Sequence, residues 1–110
     1  MASILFLGQA RFGRAVLDGL LEAGHEMTAV CVPPVAPGAA RSDELSTRAQ
    51  ELGLRTIARS SYKDPGAVVE IEPDRADLAV LAFVTQIIPL AILDGPRLGS
   101  VCFHPSMLPR

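Results

Sequence analysis

Apolar positions along this chain fall into short blocks that alternate between two spacings. Residues 4–7 are a continuous apolar run closed by Gly8, the pattern of a strand buried on both faces. Phe12, Val16, Leu20 and Ala23 then recur every three to four residues, with Leu17 and Leu21 widening the stripe, and Gly24 stands where a helix C′ glycine belongs. Residues 27–32 form a second buried strand, stopped by Pro33-Pro34. The 33–42 stretch is a Pro/Ala/Gly loop. Ser42 is the expected N-cap of a helix carrying Leu45, Ala49 and Leu52 on one face and closed by Gly53. A short strand at 55–58 and a polar stretch precede Asp64-Pro65, where a helix with Ala67, Val68 and Ile71 starts; Pro73 ends it. Residues 77–84 are the strongest strand signal. One helical turn at 89–93, a Gly95-Pro96 bend and a fifth strand at 100–103 complete the alternation. Strands and helices in strict turn demand right-handed crossovers and a parallel sheet, an α/β fold.

Composition narrows the class. The 110 residues suffice for one modest domain, and 49% hydrophobic with 20% charged residues suits a globular α/β chain. Net charge is −2 without any lysine or arginine run, which argues against a nucleic-acid footprint. The longest apolar runs are far too short to cross a bilayer. Residues 1–4 enter a strand with no basic n-region, so the expected location is cytoplasmic. Two cysteines do not make a disulfide framework. If the strand order is 3-2-1-4-5, Cys31 and Cys102 sit three strand spacings apart, about 14 Å against a ~7 Å limit, and cannot pair. Both are expected to be small buried hydrophobes.

The first turn, Gly8-Gln9-Ala10-Arg11-Phe12-Gly13, lies where a dinucleotide fold carries its phosphate loop, but it lacks the glycine pattern. Ala10 takes the place of the second glycine, the second strand ends without a carboxylate for a ribose, and Gly13 is followed by Arg14-Ala15 and not by Lys-Ser/Thr. No NAD site is expected. Gly8 and Gly13 serve a tight turn and close helix packing, which leaves room for a small anion at the helix N-terminus.

Two stretches carry candidate chemistry. Residues 82–89 leave the carboxyl end of the fourth strand. There Thr85, Gln86 and free amides on an apolar bed of Phe83, Ile87 and Ile88 are suited to a flat heteroaromatic ring; an ordinary loop sealed by isoleucines fits the spacing equally well. The last eleven residues run from a short strand into His104, and Pro105 ends the strand at once. An imidazole at the carboxyl edge of an open sheet is well placed for proton transfer, although a lone histidine also commonly just ends a strand. Cys102 and His104 share a face with Cβ atoms about 7 Å apart, too far for a thiolate–imidazole dyad. Two such groups without further ligands make no metal site.

Taken together, Gly8-Gln9-x-x-Phe12-Gly13, Gly24-His25-Glu26, Phe83-x-x-Gln86-x-Ile88-Pro89, Pro96-Arg97-x-Gly99-Ser100 and His104-Pro105-Ser106-x-Leu108-Pro109-Arg110 resemble the formyltransferase N-terminal domain over essentially the whole chain. The likeness is greatest to the hydrolase domain of 10-formyltetrahydrofolate dehydrogenase, then to methionyl-tRNA formyltransferase. It implies a Rossmann-like three-layer fold of strand order 3-2-1-4-5 over residues 1–110, ending after the fifth strand. It also implies 10-formyltetrahydrofolate as formyl donor, and water, an amine or a tRNA as acceptor. On this analogy His104 is the catalytic imidazole, and Gln86, Ile87 and Ile88 line the pterin pocket together with Phe83, Thr85 and Pro89. Pro105, Ser106, Met107 and Leu108 help hold the folate.

Transferases of this family carry asparagine at the position of Cys102, which favours water as acceptor here; Cys102 is the second, weaker catalytic candidate. The family's essential aspartate falls after residue 110, so the chain is expected to be the N-terminal part of a longer enzyme and to turn over little by itself. The alternatives are a piece of a methionyl-tRNA formyltransferase and a folate-binding remnant without turnover. A glycinamide ribonucleotide formyltransferase shares the histidine motif but needs a Gly-rich phosphate loop that Gln9-Ala10-Arg11 does not provide.

Overall fold

A computed structural model describes residues 1–35, 38 and 43–103. Strands β1 (Ser3–Gly8), β2 (Glu26–Val32), β3 (Thr56–Ala58), β4 (Leu78–Ala82) and β5 (Ser100–Phe103) alternate with helices α1 (Ala10–Glu22), α2 (Glu44–Glu51), α3 (Pro65–Ile71) and α4 (Leu90–Leu93). A 3-10 turn at Pro73–Arg75 follows α3. All strand pairs are parallel, and the sheet order is β3-β2-β1-β4-β5. This is the α/β Rossmann-like architecture expected from the alternation.

The continuous apolar strands are explained by the two cores they separate. Ile4 and Phe6 point to one face of the sheet, where they meet Leu17 of α1 and Leu45 and Ala49 of α2. Leu5 and Leu7 point to the other face, among Ala67 and Ile71 of α3 and Ile92 of α4. Successive side chains of a strand alternate in direction, so only an unbroken apolar run fills both layers. β5, one edge of the sheet, differs: all four of its residues are exposed, because no described element covers either of its faces, whereas Ile57 on the other edge is buried.

Helix ends follow their residues closely. Gly24 and Gly53 have φ of +92° and +70°. His25 N–H reaches the Leu20 carbonyl, and Leu54 N–H reaches that of Ala49, closing both helices in the Schellman manner. Asp64 caps α3 by accepting from Ala67 N–H at 3.0 Å, with Pro65 in the first turn. The cap of α2 is Asp43, whose carboxylate accepts from Leu45 N–H at 3.0 Å. The expected cap, Ser42, lies outside the described residues.

Three further expectations are corrected. β4 stops at Ala82 and not at residue 84, because Phe83 takes a left-handed φ of +58° that no strand accommodates. At the other end Asp77 is not a strand residue but a clamp. It accepts from Ser3 N–H at 3.0 Å and from Arg97 at 2.9 Å, contacts that hold its carboxyl below the usual range. Cys31 is buried but Cys102 is exposed, since the strand carrying it is an edge. Both cysteines are free, as their separation across the sheet requires.

Candidate functional site

In strand order 3-2-1-4-5 the chain leaves β1 towards β2 and leaves β4 towards β5, so the direction of winding reverses between β1 and β4. The carboxyl edge at such a reversal is where open α/β sheets place their ligand crevice. Here the two strand ends crowd one another. A Cβ added to Gly8 would lie 2.7 Å from the Ala82 carbonyl oxygen, and one added to Gly13 would lie 3.2 Å from Leu45 Cδ2. Gly8 is therefore required by close backbone approach, while Gly13 sits in tight contact with a leucine side chain that would have to shift.

The amino end of α1 is already occupied. Ala10, at φ +63°, donates its N–H to both oxygens of Asp43, at 2.8 and 2.9 Å. The carboxylate that caps α2 thus also supplies the anion that α1 attracts at its N-terminus. The small-anion site left open by the sequence is filled from within, by a residue that sequence reading had passed over.

Beside this turn lies a crevice of about 10 Å³, lined by Gly8, Gln9, Cys31, Tyr62, Thr85 and Gln86 among others. That is room for one water molecule. Burial pushes the Cys31 thiol up to about 12, against the opposing influence of Arg55 and of a hydrogen bond from Tyr62. Burial likewise raises the Tyr62 phenol above its ordinary value. Neither group ionises near neutral pH. Tyr62 is 3% exposed although it sits in a polar stretch; its ring was the one signal there that pointed inward.

Of the residues expected to form the site, Thr85, Gln86 and Gly8 come together at this crevice, whereas Phe83, Ile87, Ile88 and Pro89 do not line it. Ile87 is 70% exposed, and Ile88 packs against the α3/α4 core. Phe12, on α1, packs against the opposite core. Gln86 is fixed by two hydrogen bonds, its Nε2 donating to the carbonyls of Arg59 and Ser60 at 3.1 Å each. Those carbonyls belong to a loop held by Arg59. Its guanidinium donates to Glu70 at 2.7 Å, to both Asp64 oxygens at 2.9 and 2.7 Å, and to Ser61 O at 3.0 Å. None of the motifs contains Arg59, and no spacing pointed to it.

β5 pairs with β4 so that Ala82 stands opposite Phe103, and Phe83 N–H donates to Phe103 O at 3.0 Å. The 83–89 segment and the end of β5 therefore share one edge. His104, Pro105, Ser106, Met107 and Leu108 lie outside the described residues. Among the described residues, no three His, Cys, Asp or Glu side chains gather as metal ligands. Nor is any helix among them long and apolar enough to cross a membrane.

Comparison with known proteins agrees with this architecture. Residues 2–110 match a family described as formyl transferase. The chain is 38% identical over 111 residues to the methionyl-tRNA formyltransferase of Ruegeria pomeroyi, covering 97% of this chain and 37% of that protein. It is 36% identical over 112 residues to human cytosolic 10-formyltetrahydrofolate dehydrogenase, covering 97% of this chain and 12% of that protein. It thus spans well under half the length of these curated relatives. Among solved structures, the phosphoribosylglycinamide formyltransferase of Coxiella burnetii superposes with a TM-score of 0.62 at 22% identity, over 98% of this chain and 53% of that one, a likeness of fold.

Proposed function

The chain belongs to the formyl transferase family, and from that premise we propose that it contributes to a site that takes 10-formyltetrahydrofolate and passes its formyl group to water. The observation that carries this reading is the pairing at the carboxyl edge. Phe83 N–H bonds Phe103 O at 3.0 Å, so the 83–89 segment begins where β5 ends, and His104 is the next residue in sequence. A bicyclic ring does not enter the crevice of about 10 Å³. It lies instead across the 83–89 segment, where Ile87 is exposed and Phe83 half-buried. Pro105, Ser106, Met107 and Leu108 are assigned to the folate by the family resemblance alone.

Hydrolysis has a simple proton economy. Water adds to the formyl carbon, the carbonyl becomes an oxyanion, and the His104 imidazole takes the proton that water loses. The same imidazole returns it to N10 as the C–N10 bond breaks, releasing tetrahydrofolate and formic acid, which loses its remaining proton to solvent as formate. Cys102 favours water over an amine: it precedes His104 by two residues, and a thiol donates too weakly to orient an acceptor as a carboxamide does.

The 38% identity to a methionyl-tRNA formyltransferase supports a second reading, with the amine of an aminoacyl-tRNA as acceptor. Titrating the chain with methionyl-tRNA in the presence of 5-formyltetrahydrofolate separates the two. No saturable binding of the tRNA is expected; saturable binding would overturn the assignment of water.

A further inference from the structure

The motif Pro96-Arg97-x-Gly99-Ser100 contributes no residue to the crevice; it is the turn that leads into β5. That strand has no buried face. All four of its residues are exposed, and it pairs on one side only, with β4. A half-buried strand takes its register from the side chains that must point inward, whereas a strand without a buried face slips easily. The register of β5 therefore has to be set from outside the strand.

The turn sets it. Asp77 is tied to the start of β1: Ser3 N–H donates to its carboxylate at 3.0 Å, and Asp77 N–H donates to Ser3 O at 2.8 Å. The turn is pinned to this residue twice. Arg97 Nε donates to the other carboxylate oxygen at 2.9 Å, and Leu98 N–H donates to the Asp77 carbonyl at 2.9 Å. Gly99 then turns the chain at φ +77°, and its carbonyl accepts from Ala79 N–H at 2.9 Å. β5 so begins in the pairing that sets Val101 opposite Val80 and Phe103 opposite Ala82. A Cβ at Gly99 would meet nothing within 4 Å, so glycine serves there through its backbone conformation and not through its size.

We propose that Arg97 and Gly99 are positioning residues: their turn fixes the register of β5 and with it the place of His104, which follows Phe103, along the carboxyl edge. The proposal rests on the folate reading above for the role of His104, though not for the register. A slip by one residue turns the imidazole to the opposite face of the sheet, and a slip by two carries it roughly 7 Å along the strand. Proton transfer needs hydrogen-bond reach, and neither slip keeps it.

The test is an NMR comparison of the 110-residue chain with its Gly99→Ala, Arg97→Gln and Arg97→Lys variants. In the wild-type chain, cross-strand contacts join Val80 to Val101 and Ala82 to Phe103. Gly99→Ala weakens them and speeds amide exchange at Ala79 and Phe83, both bonded to the β5 segment, by roughly tenfold, the cost of a left-handed alanine. Contacts between Leu7 and Cys31 across β1 and β2 persist and show the fold intact. Arg97→Gln acts in the same direction by only about two- to fivefold, because that side chain is 69% exposed, and Arg97→Lys restores the wild-type rates. In Gly99→Ala and Arg97→Gln the ring signals of His104 move, and those of His25, held by Ala2 N–H at the α1–β2 corner, do not. Unchanged exchange at Ala79 and Phe83, or an unmoved His104 ring, overturns the proposal and leaves the folate reading standing. Adding 5-formyltetrahydrofolate to the wild-type chain tests that reading separately. If neither His104 nor residues 83–89 respond, the folate reading falls and takes the positioning role with it, whatever the two amides show.

Discussion

The two cysteines carry opposite chemistry because they stand on strands of opposite standing. Cys31 is on β2, covered on both faces, and burial lifts its thiol to about 12. Cys102 is on the exposed edge strand. In the native chain a disulfide reagent such as DTNB at pH 8 should label one thiol, Cys102, and both after unfolding; two thiols labelled at equal rates in the native chain would contradict the burial of Cys31. The raised pKa also fixes a pH dependence. An unfolded thiol ionises near 8.5, whereas the folded one holds its proton to about 12. The folded state thus binds the extra proton, and its stabilising contribution is whole below about 8.5 and lost as pH rises towards 12. Stability measured by urea unfolding should fall across that window, and Cys31→Ala should flatten the fall, leaving the smaller slope due to Tyr62.

At the scale of elements, strands and helices were legible because each side chain there answers to a layer. Residues 4–7 and 27–32 read as doubly buried strands, and they fill both cores. Gly24, Gly53 and Pro65 marked helix ends through backbone conformations that the sequence shows directly. What escaped were residues whose partners are distant in sequence. Asp43 looks like one more polar residue before a helix, yet it bonds Ala10, 33 positions away. Arg59 sits in an unremarkable polar stretch, and its value lies in the acids of α3 and in Gln86, 27 positions on. The end of β4 was misread for a related reason. Phe83 and Val84 are good strand formers, but the left-handed turn at Phe83 overrides propensity. Because Asp43 serves two helices at once, Asp43→Ala should cost about 1–2 kcal/mol, the upper part of the range for one cap. Asp43→Asn should recover most of it. Urea midpoints of the two variants check this, and equal losses in both would mean that charge, and not hydrogen bonding, holds the α1–α2 corner.

At the scale of the molecule, the sheet brings Thr85, Gln86 and the end of β5 to one edge, and ion pairs such as Arg48 with Asp18 lie elsewhere on the surface. Family and fold agree, and the carboxyl ends of β4 and β5 are bonded side by side. The parallel α/β sheet was readable from alternation, and its strand order from the family likeness. Sequence spacing took Thr85, Gln86 and Ile88 together to the carboxyl edge; the first two line the crevice there, and Ile88 packs against the α3/α4 core. The most direct measurement is a nitrogen–proton correlation NMR titration of the 110-residue chain with 5-formyltetrahydrofolate, a stable reduced folate. The folate account predicts saturable shifts concentrated in residues 83–89 and in the chain from Phe103 onward, with α1 and α2 silent beyond their first turns. Shifts that do not saturate, or that centre on the outer faces of α1 and α2, would contradict it.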